Sequence, residues 1–256
     1  FDDHERLARD VLHEAWPDVP VTLSSEVCPE IREYERFSTA CANAYVQPLM
    51  RRYLLDLEDR RRAVGMTCPM YLMQSGGGLG TLHEALRHPV RLVESGPAGG
   101  ALLAAELVRE LGVGLALSFD MGGTTAKLCI VEGGEPHTSR EFEVGREYRF
   151  LPGSGLPLRL PVIDMVEIGA GGSSVAWRDE LGRIRVGPRS AGSEPGPACY
   201  GRGGAEPTVT DADLLLGRIR PERFAGGDLA LDPGAATSAL DTAIAVPGGL
   251  ALEVAA

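Results

Sequence analysis

The run Phe119-Asp120-Met121-Gly122-Gly123-Thr124-Thr125 constrains this chain more than any other stretch. Leu115-Ala-Leu-Ser-Phe119 leads into it and reads by composition as a buried strand, and Lys127-Leu-Cys-Ile-Val131 beyond it reads as another. Only a tight reversal fits between them. Two glycines there open backbone conformations that other residues avoid, so N–H groups can approach a phosphate oxygen closely, and the Thr124 and Thr125 hydroxyls can donate to the same oxygens. Asp120, at the strand end, could hold Mg²⁺ through a water beside the β- and γ-phosphates. The same residues also suit a plain β-hairpin, with glycine for the turn and aspartate for an Asx turn. The motif by itself leaves both readings open.

Its surroundings add weight to the phosphate reading. Ser95-Gly-Pro-Ala-Gly-Gly100 opens the helix that precedes the Asp120 strand; a helix N-terminus attracts anions, and Pro97 suits a first helical turn. Gly96 therefore joins the candidate phosphate contacts. The small residues there equally suit close packing, and the two readings are compatible. Further along, this helix carries Leu103, Leu107 and Leu111 on one stripe, with Ala104 and Val108 beside them.

Elsewhere, residues 3–16 form a helix closed by Pro17, and Val19–Leu23 is a strand candidate. Glu35 to about Ala63 predicts a long helix with a break near Pro48. Pro69–Met73 and Val90–Glu94 read as strands, with a short helix near Leu82–Arg87 between them. Strands alternating with helices predict a mainly parallel α/β sheet. After Asp120 the pattern turns antiparallel: Lys127–Val131 and Ser139–Val144 flank Glu132-Gly-Gly134, and Ser173–Arg178 with Arg183–Gly187 forms a hairpin. Residues 151–158 are turn-rich and mark a subdomain boundary. Residues 187–207 are dense in glycine and proline, and an irregular loop of that length is either disordered or functional.

Several function classes are disfavoured. The net charge is −11 and lysines and arginines do not cluster, which argues against a nucleic-acid surface. No apolar run approaches the ~18 residues that span a bilayer. The five cysteines are widely spaced with no CxxC pair, which argues against zinc or a disulfide framework and for a reducing cytoplasm. Both ends read as truncated: Phe1 replaces an initiator Met, and Ala251–Ala256 stops within a helical pattern.

Other candidate residues carry a functional and a structural reading. Gly169-Ala-Gly-Gly172 follows an apolar strand and suits either an oxyanion- or phosphate-contacting loop or a strand-end turn. Cys199 could be a nucleophile or metal ligand, but a lone cysteine without a nearby histidine fits a structural role better. Asp211 and Asp213 could bind metal, and Thr210-Asp211 ahead of an apolar run better fits a helix cap. Lys127 either faces a phosphate or sits on the exposed side of its strand, and exposure is the simpler reading.

The order helix, strand, Asp-x-Gly-Gly-Thr, hairpin resembles the actin and sugar-kinase superfamily. Eight segments sharpen that likeness: Glu30–Arg36, Asn43-Ala-Tyr45, Met73–Gly77, Glu94–Gly100, Asp120–Lys127, Gly169–Gly172, Gly192–Gly201 and Glu206–Asp213. Together and in this order they resemble the hydantoinase A/oxoprolinase family. The resemblance implies an α/β fold, one lobe of an actin-like (ribonuclease H-like) ATPase with a β-rich extension. Residues 1–43 would end the family's N-terminal region, and 44–256 would form a C-terminally incomplete hydantoinase A/oxoprolinase domain.

It further implies ATP and Mg²⁺ as cofactors, a cyclic amide (hydantoin or 5-oxoproline type) as substrate, and a companion hydantoinase B-type subunit. Asp120 would be the catalytic and metal-holding residue, with Gly122, Gly123, Thr124, Thr125, Gly96, Gly171 and Gly172 around the nucleotide. The family's enzymes phosphorylate a carbonyl oxygen with ATP, and relatives carboxylate ketones; a non-catalytic nucleotide-binding scaffold is the alternative from another class. Two departures stand out. Many members have Thr-Asp where this chain has Ala126-Lys127, and the family's first phosphate loop and glycine-rich adenosine segment have no counterpart here. The 256-residue chain alone is therefore not expected to turn over ATP.

Overall fold

Long helices built from charged, alanine- and leucine-rich sequence dominate the N-terminal part of the chain. The computed structural model describes residues 2–147, 151 and 153–256. They divide into two units, one running to Ser118 and including Cys129–Met165, the other made of Phe119–Leu128 and Val166–Ala256.

In the first unit, α1 (Asp3–Ala15) buries no residue of its own. The Glu5 carboxylate ties it to the one-turn α2 (Ser24–Val27), accepting from the Ser25 amide at 3.0 Å and from both serine hydroxyls. The strand expected at Val19–Leu23 does not form, because the segment pairs with no other strand. Leu23 is buried instead, and Thr22 accepts a hydrogen bond from Asn43 Nδ2 at 3.2 Å.

α3 (Glu33–Ala63) passes through Pro48 without breaking. A proline removes one helical hydrogen bond, but the turns before it are anchored from outside. Asn43 and Gln47 donate to the Arg87 carbonyl at 3.0 and 3.2 Å, and the Thr39 hydroxyl accepts from the Arg159 amide at 2.8 Å.

β1 (Tyr71–Met73) and β2 (Leu79–Thr81) form an antiparallel hairpin that leads into α4 (Leu82–Arg87), capped by the Thr81 hydroxyl. The strand expected at Val90–Glu94 is a 3-10 turn, Pro89–Leu92. Its backbone is satisfied by side chains rather than by a ladder. Val90 N donates to Asn43 Oδ1 at 3.2 Å, and the Ser75 hydroxyl donates to the Arg91 and Val93 carbonyls.

α5 (Ser95–Leu111) then buries Ala98, Ala101, Ala105 and Val108. These pack on Cys129, Val131 and Ile163. The leucine stripe faces out: Leu103 is 64%, Leu107 48% and Leu111 74% exposed. Gly112 ends the helix at φ 65°, the left-handed conformation a helix C-cap favours.

β3 (Leu115–Met121), β4 (Ala126–Glu132) and β5 (Glu135–Pro136) follow, with β4 and β5 antiparallel around Gly133-Gly134. β6 (Thr138–Val144) pairs antiparallel with β7 (Leu156–Ile163), from Thr138↔Ile163 to Val144↔Leu156. Ser139–Val144 is thus a strand as expected, but its partner is β7. The turn-rich stretch 151–158 connects these two strands and begins β7 inside the first unit, so it is no boundary between units; Pro152 within it lies outside the described residues. Val27, Val90, Leu158, Leu160 and Val162 form a core of this unit.

In the second unit, β8 (Val166–Ile168) pairs with Ala126–Leu128 of β4, and β9 (Ser174–Arg178) with β10 (Ile184–Ser190) forms the expected hairpin. Residues 191–207 are irregular apart from the 3-10 turn Ala198–Tyr200. α6 (Val209–Leu215) and α7 (Pro233–Leu240) close the unit around Cys199, Leu214, Leu231 and Ala236. Helices and sheets are mixed, yet every registered strand pairing is antiparallel. The mainly parallel sheet expected from alternation does not form among the described residues, because two of the alternating strands, 19–23 and 90–94, are not strands. No helix among them is long and apolar enough to cross a membrane.

Candidate functional site

β3 alternates. Ala116 and Ser118 are half-buried, Ala116 against the Ala105, Val108 and Val131 cluster, whereas Leu115, Leu117 and Phe119 are exposed. The strand is therefore covered on one face only, a correction to its reading as a buried strand. Asp120 lies one residue before the strand's end and is exposed, and no side-chain hydrogen bond or ion pair engages its carboxylate among the described residues.

The turn after it is built on backbone. Gly122 N donates to Thr125 O at 2.9 Å and closes the reversal. The Gly122 carbonyl accepts from Gly172 N at 2.9 Å, and the Gly123 carbonyl from Ser173 N at 2.6 Å. Gly171 approaches so closely that a Cβ on it would lie 2.6 Å from Thr124 N and 2.7 Å from the Gly122 carbonyl oxygen; only glycine fits there. With the carbonyls turned to this support, the amides of Gly123, Thr124 and Thr125 and both threonine hydroxyls make no hydrogen bond among the described residues. Gly122, Gly123 and Thr124 are exposed and Thr125 is half-buried. Consecutive unengaged amides of this kind make an anion-binding concavity.

The second unit thus brings together Asp120, Gly122, Gly123, Thr124, Thr125, Gly171 and Gly172. The last two have their amides engaged, Gly171 N with Ser174 Oγ at 2.8 Å and Gly172 N with the Gly122 carbonyl, so they back the turn rather than extend its row of free donors. Gly96 belongs to the first unit. It is exposed as the second residue of α5, with open space where a Cβ would be.

Two further residues complete the support: Ser174, which the sequence reading did not single out, and Thr210, which it read with Asp211 as a helix cap. Ser174 is fully buried and receives the Gly171 amide, and Thr210 donates to the Gly172 carbonyl through both its amide, at 2.8 Å, and its hydroxyl, at 2.9 Å. The sequence signal at Thr210 was its place at the start of an apolar helical run, which reads as a cap. The cap itself is Thr208, in a reciprocal capping box with Asp211.

Asp120 is the one carboxylate in the turn, and no cluster of three His, Cys, Asp or Glu that could hold a metal occurs among the described residues. A nucleotide-borne Mg²⁺ asks for less: one or two carboxylates, waters and the phosphates themselves. An exposed, unpaired Asp120 beside two free hydroxyls fits that requirement.

Other candidates resolve structurally. Cys199 is fully buried, and burial together with the neighbouring Asp211 carboxylate pushes its thiol far above the usual range, away from the thiolate a nucleophile needs. Asp213 pairs with Arg218 at 2.9 Å. Lys127 is not on an exposed side: its side chain is 15% exposed and its ammonium lies 3.6 Å from Glu167.

Residues 36–256 match the hydantoinase/oxoprolinase family. An uncharacterised protein of Methanocaldococcus jannaschii is 43% identical over 93% of this chain and 35% of its own length. The caprolactamase subunit alpha of Pseudomonas jessenii is 38% identical over 99% of this chain and 35% of its own length. Among solved structures, nucleotide-free acetone carboxylase superposes with a TM-score of 0.74 at 28% identity, over 99% of this chain and 35% of the other. The ATP-dependent caprolactamase of Pseudomonas jessenii superposes at 0.70 and 37%, over 98% and 35%. The chain therefore spans about 35% of the length of these curated relatives.

Proposed function

The chain belongs to the hydantoinase/oxoprolinase family, and from that premise we propose that it carries the phosphate-binding turn of an enzyme that opens a cyclic amide with ATP. The observation that carries this reading is the row of unengaged donors at Gly123, Thr124 and Thr125 beside an unpaired Asp120. An amide carbonyl oxygen is a poor leaving group, and phosphorylation makes it a good one. The carbonyl oxygen attacks the γ-phosphorus, the bond from that phosphorus to the β,γ-bridging oxygen breaks, and ADP departs. Water then adds to the activated carbon and the ring C–N bond cleaves, with phosphate released.

In this reading the amides of residues 123–125 and the Thr124 and Thr125 hydroxyls orient the phosphates and stabilise charge that builds on their oxygens during transfer. Gly122 gives the turn its shape and Gly171 and Gly172 hold it from behind, while Gly96, at the start of α5 in the first unit, remains a candidate phosphate contact on its own. Asp120 would position Mg²⁺ through water, and that ion would neutralise phosphate charge. Residues 44–256 form the family domain in this proposal, with 1–43 the end of the region before it. A companion hydantoinase B-type subunit is the expected partner, since the caprolactamase relative is itself a subunit, and the cytoplasm is the expected compartment.

The test uses the full-length protein with ATP, Mg²⁺ and a panel of 5-oxoproline, hydantoin, caprolactam and the ketones acetone and acetophenone, with and without bicarbonate. Ring-opened product and ADP formed without bicarbonate are expected. Turnover of a ketone that requires bicarbonate would move the assignment to a ketone carboxylase, the second reading, which the likeness to acetone carboxylase favours. Nucleotide binding with no substrate-stimulated turnover would leave a scaffold, and no nucleotide binding would end the proposal.

A further inference from the structure

We propose that Thr210 is a positioning residue for the phosphate turn, acting through Gly172; this rests on the nucleotide reading above. The Gly172 carbonyl receives two donors from one residue, the Thr210 amide at 2.8 Å and the Thr210 hydroxyl at 2.9 Å. A carbonyl held twice fixes the plane of its peptide, and with it the direction of the neighbouring amides. Those amides are Gly172 N, which donates to the Gly122 carbonyl, and Ser173 N, which donates to the Gly123 carbonyl. With both carbonyls held, the free amides of Gly123 and Thr124, which share those peptide planes, keep one orientation. Thr210 thus sets the turn from two hydrogen bonds away.

Helix capping does not account for the hydroxyl. The α6 cap is Thr208, whose hydroxyl exchanges hydrogen bonds with Asp211, while the Thr210 hydroxyl reaches back 38 residues to Gly172. Thr210 is itself immobilised. It is 6% exposed and sits in the first turn of α6, and the adjacent Asp211 carboxylate accepts from Ala198 N, Cys199 N, Thr208 N and the Thr208 hydroxyl. The fit is tight from the other side too, since a Cβ on Gly172 would lie 2.8 Å from Thr210 Oγ1. Such a braced support is what a preorganised site needs, because small misplacement of a reacting group costs rate steeply.

The experiment compares wild type, Thr210→Val and Thr210→Ser in the full-length protein. ATP with Mg²⁺ is the probe, read by turnover and by nucleotide titration, together with deuterium uptake over residues 119–126 and 168–176. Thr210→Val keeps the shape and loses the hydroxyl. It should raise uptake in both peptides and lower kcat about tenfold, more than it weakens ATP binding. Thr210→Ser restores the donor and should return both readouts to near wild type. If Thr210→Val does not fold, Thr210→Ala removes the hydroxyl with less bulk and is read the same way. Wild-type uptake and turnover in the variants lacking the hydroxyl, while wild type binds ATP, would overturn this proposal alone. The same holds for a loss of melting temperature with no change at residues 119–126. Failure of wild type to bind ATP would remove the nucleotide reading and this proposal with it.

Discussion

Two glycine-rich segments of the second unit, residues 120–125 and residues 187–207, look alike as sequence and differ in where their backbone donors go. In the first, three consecutive amides and two hydroxyls are left unengaged and largely exposed. In the second, the donors turn inward: Ala191 N reaches the Ser173 carbonyl, Gly196 N the Ala191 carbonyl, and Ala198 N and Cys199 N the buried Asp211 carboxylate. Pro197 and Pro207 are fully buried beside them. Glycine content reports backbone freedom. The destination of the N–H groups decides whether a loop is free to bind a ligand or braces the structure.

The sharpest way to break this comparison is to change one aspartate in each segment's neighbourhood. Asp120→Asn in the full-length protein removes a charge that nothing in the fold depends on. Steady-state kinetics should show kcat down by roughly 10²-fold or more, with nucleotide affinity less affected, and thermal melting should be unchanged. If Asp120 only shapes a turn, Asn would serve as well and kcat would not move. Asp211→Asn is the mirror experiment. It places amide protons among four backbone and hydroxyl donors that require acceptors, so denaturant melts should show a loss of about 3 kcal/mol. A variant Asp211 that melts like wild type would mean that the second loop is not braced by this carboxylate. The smallest effect belongs to Cys199→Ser. A buried thiol outside the chemistry should leave turnover within about tenfold, under ~1.4 kcal/mol. A loss of several orders of magnitude with the fold intact would return Cys199 to the active site.

Much of this was legible in the sequence, and the remainder has physical reasons. The hairpin of β9 and β10, α4 and the Asp120–Thr125 turn follow from local patterns of alternation, capping and glycine placement. The segments 19–23 and 90–94 misled because a short apolar run does not state its partner; Asn43 holds the first through the Thr22 hydroxyl, and Asn43 and Ser75 satisfy backbone groups of the second. Helical periodicity in α5 found the leucine stripe, with Ala104 and Val108 beside it, and not which face turns inward. Close approach of Cys129, Val131 and Ile163 selected the alanines over the leucines. The support of the candidate site was hidden for another reason: the contact of Thr210 with Gly172 joins residues 38 apart, and no local pattern encodes it.

The outward leucines of α5, one helical turn apart, also bear on the colloidal behaviour expected of this chain. Contiguous apolar surface of this kind attracts its like, while a net charge of −11 repels it. The repulsion reaches about 10 Å at 0.1 M salt and about 3 Å at 1 M, whereas the attraction between leucine faces survives salt. The osmotic second virial coefficient of the chain should therefore fall as ionic strength rises.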